Sequence, residues 1–233
     1  MKVEIWSDVV CPWCYVGKRQ FERALAEFEH ADEIEVEWRA YELDPRAPAV
    51  REGTYAERIA RKYGIEVGQA RAAMARIINA GAEAGVDFKF EIMRPGNTFD
   101  AHRLIHLGKA RGIQDAVKER FMQATFHEGE AIGDREVLAR LAVEAGLTGD
   151  EVDYVLDGEA YAEEVRIDER VAHSLGVTGV PFFLIDDTYG VPGAQEPMVF
   201  LNLLRRAWAE THRTVEVIAG DPTAVCDDES CDV

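Results

Sequence analysis

Apolar and polar side chains alternate at the start of the chain and again a short distance further on. Val3 and Ile5 alternate with charged residues over residues 2–7, and residues 34–41 repeat this pattern. Such alternation predicts half-buried β-strands. Between the strands, apolar residues recur at helical spacing from Pro12 to Phe28, and a proline is tolerated in the first turn of a helix. The opening segment is therefore predicted to be a strand, a helix and a strand.

Residues 51–175 have a different pattern, in which Ala, Glu, Arg and Leu dominate with helical period and glycines recur at helix ends. The predicted helices cover residues 54–63, 67–84, 97–111, 114–127, 134–145 and 158–175. The strand pattern returns at residues 180–185 and is followed by a short strand or turn at 189–194. A final amphipathic helix is predicted from Pro197 to about Glu210.

This order of elements predicts an α/β protein whose sheet is interrupted by an all-helical insertion. The first and last segments share one sheet only if the ends of the insertion lie close together. The predicted division is a sheet domain from residues 1–50 and 176–211, and a helical insertion domain from residues 51–175. Residues 212–233 are predicted to be a mobile acidic tail, because they contain little apolar surface to bury.

The charge of the chain limits its partners. The 233 residues include 44 acidic and 26 basic side chains, which gives a formal charge of −18. Because a protein that binds a phosphate backbone needs clustered positive charge, no nucleic-acid partner is expected. The first residues carry charges at positions 2, 4 and 8, and no apolar run is long enough to cross a membrane. The expected location is the cytoplasm, with no membrane partner.

The four cysteines form two close pairs, Cys11 with Cys14 and Cys226 with Cys231. In a reducing compartment, such pairs are more often catalytic, redox-sensing or metal-binding than structural. Free N–H groups at a helix start stabilise a thiolate, so Cys11 is predicted to have a lowered pKa and to act as the nucleophile. Cys14, one turn later, is placed to attack a mixed disulfide between Cys11 and a substrate. The same spacing also suits two zinc ligands.

Three segments in this order resemble the DsbA-like thioredoxin-fold proteins of the FrnE type. The segments are Ser7 to Gly17, which contains Cys11-Pro12-Trp13-Cys14, then Asn97 to Arg103, and Thr178 to Phe183. The resemblance covers approximately residues 2–210 and implies a thioredoxin fold interrupted by a helical domain. It further implies that Cys11 attacks, that Cys14 resolves, and that Val180 and Pro181 form a cis-proline loop beside the thiols.

Several neighbours of the thiols are candidate substrate-binding residues. They are Pro12, Trp13, Val180 and Pro181, together with Asn97 and His102, which the resemblance places across the cleft. The alternative for residues 97–103 is structural, with Asn97 or Thr98 capping a helix and His102 and Arg103 lying at the surface or between domains.

Strongly oxidising relatives have a histidine between the two cysteines, whereas Pro12 and Trp13 add no charge, so a less oxidising couple is expected here. Glu4 and Asp8 are the acids nearest the thiols and the candidate proton acceptors. They are expected to be solvated charges at the strand edge.

Acidic side chains surround the second cysteine pair. Residues 212–233 contain six acids and one base, and this negative charge should raise the pKa of the Cys226 and Cys231 thiols. A mobile dithiol tethered to the protein has a high effective concentration at the active site, which predicts a shuttle that exchanges with Cys11 and Cys14. The alternatives are an inert acidic tail and a pair of ligands for a soft metal.

The leading hypothesis is a thiol–disulfide oxidoreductase, with disulfide isomerisation as a second activity, that acts on protein or small-molecule disulfides. It needs no bound cofactor or metal, and glutathione or thioredoxin are suitable thiol donors. One alternative is a glutathione-dependent isomerase or transferase of the same fold, such as 2-hydroxychromene-2-carboxylate isomerase, although these enzymes typically lack paired thiols. The other is a non-enzymatic protein that binds metal through cysteines. That alternative leaves the Pro-Trp insert and the Val180-Pro181 loop unexplained.

Overall fold

The computed structural model describes residues 1–212. The strands are β1 (Lys2–Ser7), β2 (Glu35–Ala40), β3 (Phe182–Ile185) and β4 (Tyr189–Pro192). The α-helices are α1 (Pro12–Ala26), α2 (Tyr55–Tyr63), α3 (Val67–Glu83), α4 (Phe99–Ala110), α5 (Gln114–Gln123), α6 (Arg135–Glu144), α7 (Gly149–Asp157), α8 (Ala162–Ser174) and α9 (Pro197–Thr211). A short 3-10 helix (Ala31–Glu33) precedes β2, and a π-helical turn (Ala124–Glu128) follows α5.

The four strands form one mixed sheet in the order β2-β1-β3-β4. β1 is parallel to β2 and antiparallel to β3, so that Ile5 lies between Trp38 and Phe183, and β4 continues the sheet antiparallel to β3. The central strand β1 is buried on both faces, because Ile5 and Trp6 are both inaccessible to solvent. This topology confirms the predicted α/β fold, in which a helical block separates βαβ from ββα.

The two faces of the sheet are covered by different helices. On one face, Phe183 packs between Phe21 of α1 and Phe200 of α9, with ring centroids 5.6 and 4.5 Å away. On the other face, Trp6 clusters with Ala172 of α8, and its indole N–H donates to the Asp168 carbonyl at 2.9 Å. The sheet is therefore enclosed between α1 and α9 on one side and α8 on the other.

The helical block is joined to the sheet by a polar contact and by a shared apolar core. Gln114, at the start of α5, accepts from the Trp38 backbone N–H at 3.0 Å and donates to the Trp38 carbonyl at 2.9 Å. One buried cluster includes Ile5 of the sheet together with Leu104 and Phe121 of the helical block. The core therefore continues across the predicted division at residues 50 and 176, and the domain boundaries stay a prediction.

The helices of the block differ from the predicted ones in two places. The helix α7 is not among the predicted elements, although Val152, Val155 and Leu156 are buried at helical spacing. The last helix of the block begins at Ala162 instead of residue 158. Tyr161 adopts a left-handed backbone conformation with φ of 61°, which separates this helix from α7.

Candidate active site

The first cysteine pair lies where the chain turns from β1 into α1. Cys11 is the N-cap residue of α1, Pro12 occupies the first helical turn, and Cys14 follows within that turn. The Cys11 carbonyl accepts the Cys14 and Tyr15 N–H groups at 3.1 and 3.4 Å. Both cysteines are free thiols. Because proline fits the start of a helix without losing a hydrogen bond, the sequence places both sulfur atoms at the N-terminus of α1.

The thiols are more deeply buried than the sequence indicates. Cys11 is 5% exposed and Cys14 is fully buried, in a cluster that includes Phe88, Phe90 and Phe126 from the helical block. Tyr55 of α2 packs against the same cluster. Trp13, between the two cysteines, is 36% exposed. Trp13 is therefore the exposed residue of the Cys11–Cys14 motif, and little of Cys11 reaches the surface.

The predicted proline loop lies against the thiols. The Val180–Pro181 peptide bond is cis, and the Cys11 thiol donates to the Val180 carbonyl with Sγ and O 3.6 Å apart. A Cβ atom at Gly17 of α1 would lie 2.9 Å from the Pro181 ring. Glycine at position 17 therefore allows α1 to pack directly on this loop.

Asp8 and His102 are buried beside the thiols, and this corrects the expectation of solvated or surface positions. Each is 1% exposed, and the His102 Nε2 atom lies 3.5 Å from Asp8 Oδ1. The other carboxylate oxygen of Asp8 accepts the Leu43 N–H at 2.8 Å. Glu4 is also buried, but its carboxylate pairs with Arg39 and Lys2. Arg103 is buried as well, and it donates to the Ala160 carbonyl at 2.9 Å.

The charges of this pair follow from its surroundings. Burial raises the pKa of Asp8, but His102, the Leu43 N–H and Lys118 lower it more, so that the net pKa lies below its ordinary value. Burial lowers the pKa of His102 below its ordinary value, against the opposing effect of Asp8. Asp8 is therefore a carboxylate at neutral pH and a poor acceptor for a thiol proton.

The electrostatics of Cys11 differ from the sequence-based expectation. The hydrogen bond with Cys14, followed by burial and the charge of Cys14, raises the pKa of the Cys11 thiol well above its ordinary value, and Asp8 raises it further. The Cys14 N–H has the opposite effect but is weaker. The pKa of Cys11 in the reduced, buried pair is therefore raised, whereas the position at the helix start alone predicts that it is lowered.

A positive charge near the thiols comes from Lys118, a residue outside every motif of the sequence. Lys118 of α5 is fully buried, and its Nζ donates to the Ser7 carbonyl at 3.2 Å. Burial lowers the pKa of Lys118 to about 8, while Cys14, Asp8 and Cys11 act in the opposite direction. The thiols thus face both a carboxylate and an ammonium group.

The side chain of Asn97 bonds to the backbone at the start of α4 and to the segment that follows β2. Its Oδ1 accepts the Phe99 N–H at 3.0 Å and its Nδ2 donates to the Pro45 carbonyl at 3.4 Å. Thr98 is the N-cap residue of α4 and makes no side-chain capping bond. Of the two residues predicted across the cleft, His102 is brought to the thiols through Asp8, whereas Asn97 supports the start of α4.

A cavity of about 630 Å³ lies beside the active site. Asp8, Val10 and Tyr55 line it near the thiol cluster, with Asp44 and Glu52 as its other acids. Its basic lining residues are Arg46, Arg51, Arg58, Arg61 and Lys62. The Arg58 Nη2 atom is buried without a hydrogen-bond partner among the described residues. The cavity is therefore a local concentration of positive charge on a chain whose net charge is −18.

Cys226 and Cys231 lie outside the described residues, so the structure does not test their predicted role. Among residues 1–212, no group of three or more His, Cys, Asp and Glu side chains is arranged to hold a metal ion. No helix in this part of the chain is both long and apolar enough to cross a bilayer.

A dithiol at a helix start with a cis-proline loop beside it is the arrangement found in thiol–disulfide oxidoreductases that have a thioredoxin fold. The family described as the DSBA-like thioredoxin domain matches residues 2–205, and the chain belongs to this family. Membership confirms the DsbA-like resemblance, whereas the narrower FrnE type stays a prediction.

Known proteins show how far this similarity extends. SCO1869 of Streptomyces coelicolor, described as a probable DsbA oxidoreductase, is 43% identical with a TM-score of 0.86 over 100% of this chain and 99% of that one. The uncharacterized protein YwbO of Bacillus subtilis (strain 168) is 30% identical over 210 residues, which are 85% of this chain and 92% of YwbO. A 2-hydroxychromene-2-carboxylate isomerase is 14% identical with a TM-score of 0.65, covering 91% and 98% of the two chains, and shares the fold.

Proposed function

We propose that the protein reduces, forms and rearranges disulfides through a mixed disulfide with Cys11 that Cys14 resolves. The observation that carries this proposal is the pair of free thiols at the start of α1, with Cys11 Sγ beside the Val180 carbonyl of the cis-proline loop. Cys11 is the attacking residue because it is the more exposed of the two thiols. Cys14 is buried one turn away and reacts only with a sulfur atom held by Cys11.

The experiment is the reduction of insulin disulfides with glutathione as the thiol donor, measured against the rate with glutathione alone. We expect Cys11→Ser to abolish the activity. Cys14→Ser should accumulate a mixed disulfide with the substrate, because the resolving thiol is missing. Ser174→Ala on the exposed end of α8 is a matched control and should leave the rate unchanged. Full activity of Cys11→Ser would rule out this mechanism.

The substrate class follows from the burial of Cys11 and from the basic cavity. A thiol that is 5% exposed favours small or flexible disulfides over those held in rigid folded proteins. Positive side chains around the cavity favour substrates that carry carboxylates, such as glutathione disulfide or acidic peptides. We therefore expect kcat/KM to be higher for an acidic peptide disulfide than for its amidated counterpart. Equal values would contradict a role of the cavity in substrate binding.

We also propose that Cys226 and Cys231 exchange with the active-site pair. Cys226 follows the last residue of α9, Thr211, by fifteen positions. A chain of that length reaches at most about 50 Å, comparable with the width of a domain of this size. The acidic residues beside both cysteines complement the basic cavity near Cys11. The tail therefore combines sufficient reach with the charge that this cavity favours.

The tail is tested by oxidising the Cys14→Ser variant and mapping its disulfides by mass spectrometry. We expect a bond between Cys11 and either Cys226 or Cys231. Replacement of Asp227, Asp228 and Glu229 by the corresponding amides should slow its formation, because the charge that favours docking is removed. Recovery of only the Cys226–Cys231 bond, with Cys11 left free, would contradict direct exchange.

A glutathione-dependent isomerase is the second candidate, because the fold is shared with a 2-hydroxychromene-2-carboxylate isomerase. The retained thiol of Cys14 argues for the oxidoreductase, because the isomerase and transferase relatives typically have no paired thiols. Glutathione-dependent isomerisation by Cys14→Ser, without disulfide exchange, would favour the second candidate. A cytoplasmic location is also part of this proposal, because a reducing compartment supplies thiol donors and keeps such cysteine pairs available for exchange. Cell fractionation tests it.

A further inference from the structure

Two lysines are buried in the part of the chain that the structure describes, and their partners differ. The side chain of Lys18 on α1 is 2% exposed and contacts the carboxylates of Glu22, Asp115 and Glu119. Lys118 on α5 is fully buried, donates to the Ser7 carbonyl, and has no ion pair within residues 1–212. An ammonium group has three donors and is costly to bury without a negative partner.

The position of Lys118 is set by the packing of α5 on β2. Gln114 lies one turn earlier on the same helix face and holds both backbone groups of Trp38. Lys118 Nζ lies 5.4 Å from the centre of the Trp38 ring and bonds the carbonyl of Ser7, the last residue of β1. Cys11 and Cys14 follow Ser7 along the chain, at the start of α1. The helical insertion therefore carries a positive charge to the base of the redox motif.

The charged and titratable groups facing Lys118 come from three elements. Cys14 has the largest interaction with the ammonium, followed by Asp8 and Cys11, all of which favour its positive charge. Lys18 of α1 and His102 of α4 face the same region, and Lys18 opposes the charge. The Asp8 carboxylate supplies one negative charge near Lys118 and is shared with His102 and the Leu43 N–H, so a thiolate of the cysteine pair is the second negative group that can form beside the ammonium.

We propose that the Lys118 ammonium is the counter-charge for the thiolates of the Cys11–Cys14 pair, acting mainly on Cys14, and that it promotes the resolving step and raises the reduction potential. This inference rests on the disulfide chemistry proposed above. Lys118 is a positioning residue, because it acts through the charge on sulfur and does not contact substrate.

Lys118 assists the second of two thiol–disulfide exchange steps. The Cys11 thiolate attacks one sulfur of the substrate disulfide, forms the mixed disulfide and releases the first substrate thiolate. The Cys14 thiol then loses its proton, and its thiolate attacks Cys11 Sγ. The bond between Cys11 and the substrate breaks, and its electron pair leaves on the second substrate thiolate. Proton uptake by the two substrate thiolates balances the protons lost by the cysteine pair, which is oxidised by two electrons.

The same charge shifts the redox equilibrium. A thiolate can form near Lys118 in the reduced pair, whereas the Cys11–Cys14 disulfide has no sulfur atom that ionises. The ammonium therefore stabilises the reduced state relative to the oxidised state, and this raises the reduction potential of the pair. Removal of the charge should make the pair a stronger reductant and should slow resolution, because Cys14 then forms its thiolate less readily.

The experiment measures thiolate formation by absorbance at 240 nm in single-cysteine active sites. In the Cys11→Ser background, we expect Lys118→Met to raise the pKa of Cys14 by about one unit, a tenfold change in its acid dissociation constant. In the Cys14→Ser background, the change at Cys11 should be smaller, about threefold, because its interaction with Lys118 is weaker. With both thiols present, the equilibrium with glutathione should shift about tenfold toward the disulfide, or about 30 mV.

Lys18→Met is the matched control, because Lys18 is also a buried lysine beside Trp38 but is paired with carboxylates. It should change the Cys14 dissociation constant by less than a factor of two. An unchanged Cys14 pKa in Lys118→Met, or an equal change in Lys18→Met, would overturn the inference. These titrations do not require a substrate. Insulin reduction by Cys11→Ser would instead contradict the proposed function, so the two failures are distinguishable.

Discussion

Lys18 and Lys118 are two buried lysines beside the same tryptophan, and their surroundings shift their pKa values in opposite directions. Their Nζ atoms lie 5.8 and 5.4 Å from the centre of the Trp38 ring. Burial lowers the pKa of Lys18, but Asp115, Glu22 and Glu119 raise it above its ordinary value. Lys118 lacks such partners, and burial lowers its pKa to about 8. The first charge stabilises the packing of α1 on α5, whereas the second is retained beside the thiols at a cost in stability.

The largest effect on stability is expected for Lys18→Met. This change leaves Asp115, Glu22 and Glu119 without their shared cation at the α1–α5 contact. We expect the free energy of unfolding at pH 7 to fall by about 2.5 kcal/mol, less than for a fully buried ion pair, because Glu22 and Asp115 are exposed to solvent and Arg19 still pairs with Glu22 and Glu119. Urea denaturation measures this loss. A stability equal to that of the parent protein would show that the Lys18 cluster contributes as little as a surface ion pair.

Lys118→Met should instead increase the free energy of unfolding. The pKa of Lys118 is depressed from 10.5 to about 8 in the folded state, so folding releases a proton between these pH values. The destabilising effect of the charge is complete below pH 8 and disappears as the pH approaches 10.5. We expect Lys118→Met to gain about 2 kcal/mol at pH 7, after the loss of the Ser7 bond, and little at pH 10. A pH-independent gain would assign the effect to packing.

Glu42, like Lys118, is a buried ionisable residue whose charged form is disfavoured by burial. Its side chain is buried, one oxygen accepts from Arg166 at 2.6 Å, and the other has no partner among the described residues. Burial raises its pKa to about 7, against the effect of Arg166, while Glu169 adds to the rise.

The folded state therefore binds a proton that the unfolded state has lost between about pH 4.5 and 7, and stability falls over that range as the pH rises. Glu42→Gln should gain about 1 kcal/mol at pH 8 and nothing at pH 5. Thermal unfolding at the two pH values provides the measurement. The opposite pH dependence would mean that the ion pair with Arg166 dominates.

The smallest effect is the coupling between the two lysines. Lys18 lowers the pKa of Lys118 by repulsion, and this repulsion is absent once either charge is removed. In the Lys18→Met background, Lys118→Met should therefore stabilise the protein by about 0.5 kcal/mol less than in the parent. A double-mutant cycle in urea gives this difference. Strict additivity would show that the sites are electrically independent despite sharing Trp38.

The sequence predicts those parts of the fold whose signal is local. Alternation around Val3 and Ile5 identifies β1, and Pro12 indicates the first turn of α1, because one face or one turn determines each pattern. The helix α7 is missed although Val152, Val155 and Leu156 have helical spacing, since this segment is short and has acidic residues at positions 150, 151, 153 and 157. The start of α8 depends on the left-handed conformation of Tyr161, for which a tyrosine gives no local signal.

The sequence predicts the active-site residues that lie in local motifs, but not the charged residues that pack around them. Cys11, Cys14 and Pro181 are identified by their motifs and by a family resemblance that the whole-chain match supports. The charges around them come from distant segments, because Lys118 lies 104 positions after Cys14 and reaches the thiols only through the docking of α5 on β2. In the sequence, a single lysine on a helix is most simply a solvated residue. Which groups lie next to Lys118 depends on the tertiary packing, which the local sequence does not encode.

The burial of Cys11 also bears on how long the protein survives oxidants. Conversion of a thiol to sulfinic and sulfonic acids follows its thiolate character and its exposure, and Cys11 is 5% exposed. A sulfenic acid formed there has Cys14 within one helical turn, so condensation to a reversible disulfide should outrun further oxidation by peroxide. Cys14→Ser should accumulate the irreversible acids, detectable as added mass. The same compact dithiol that restricts substrates thus protects the catalytic sulfur from permanent damage.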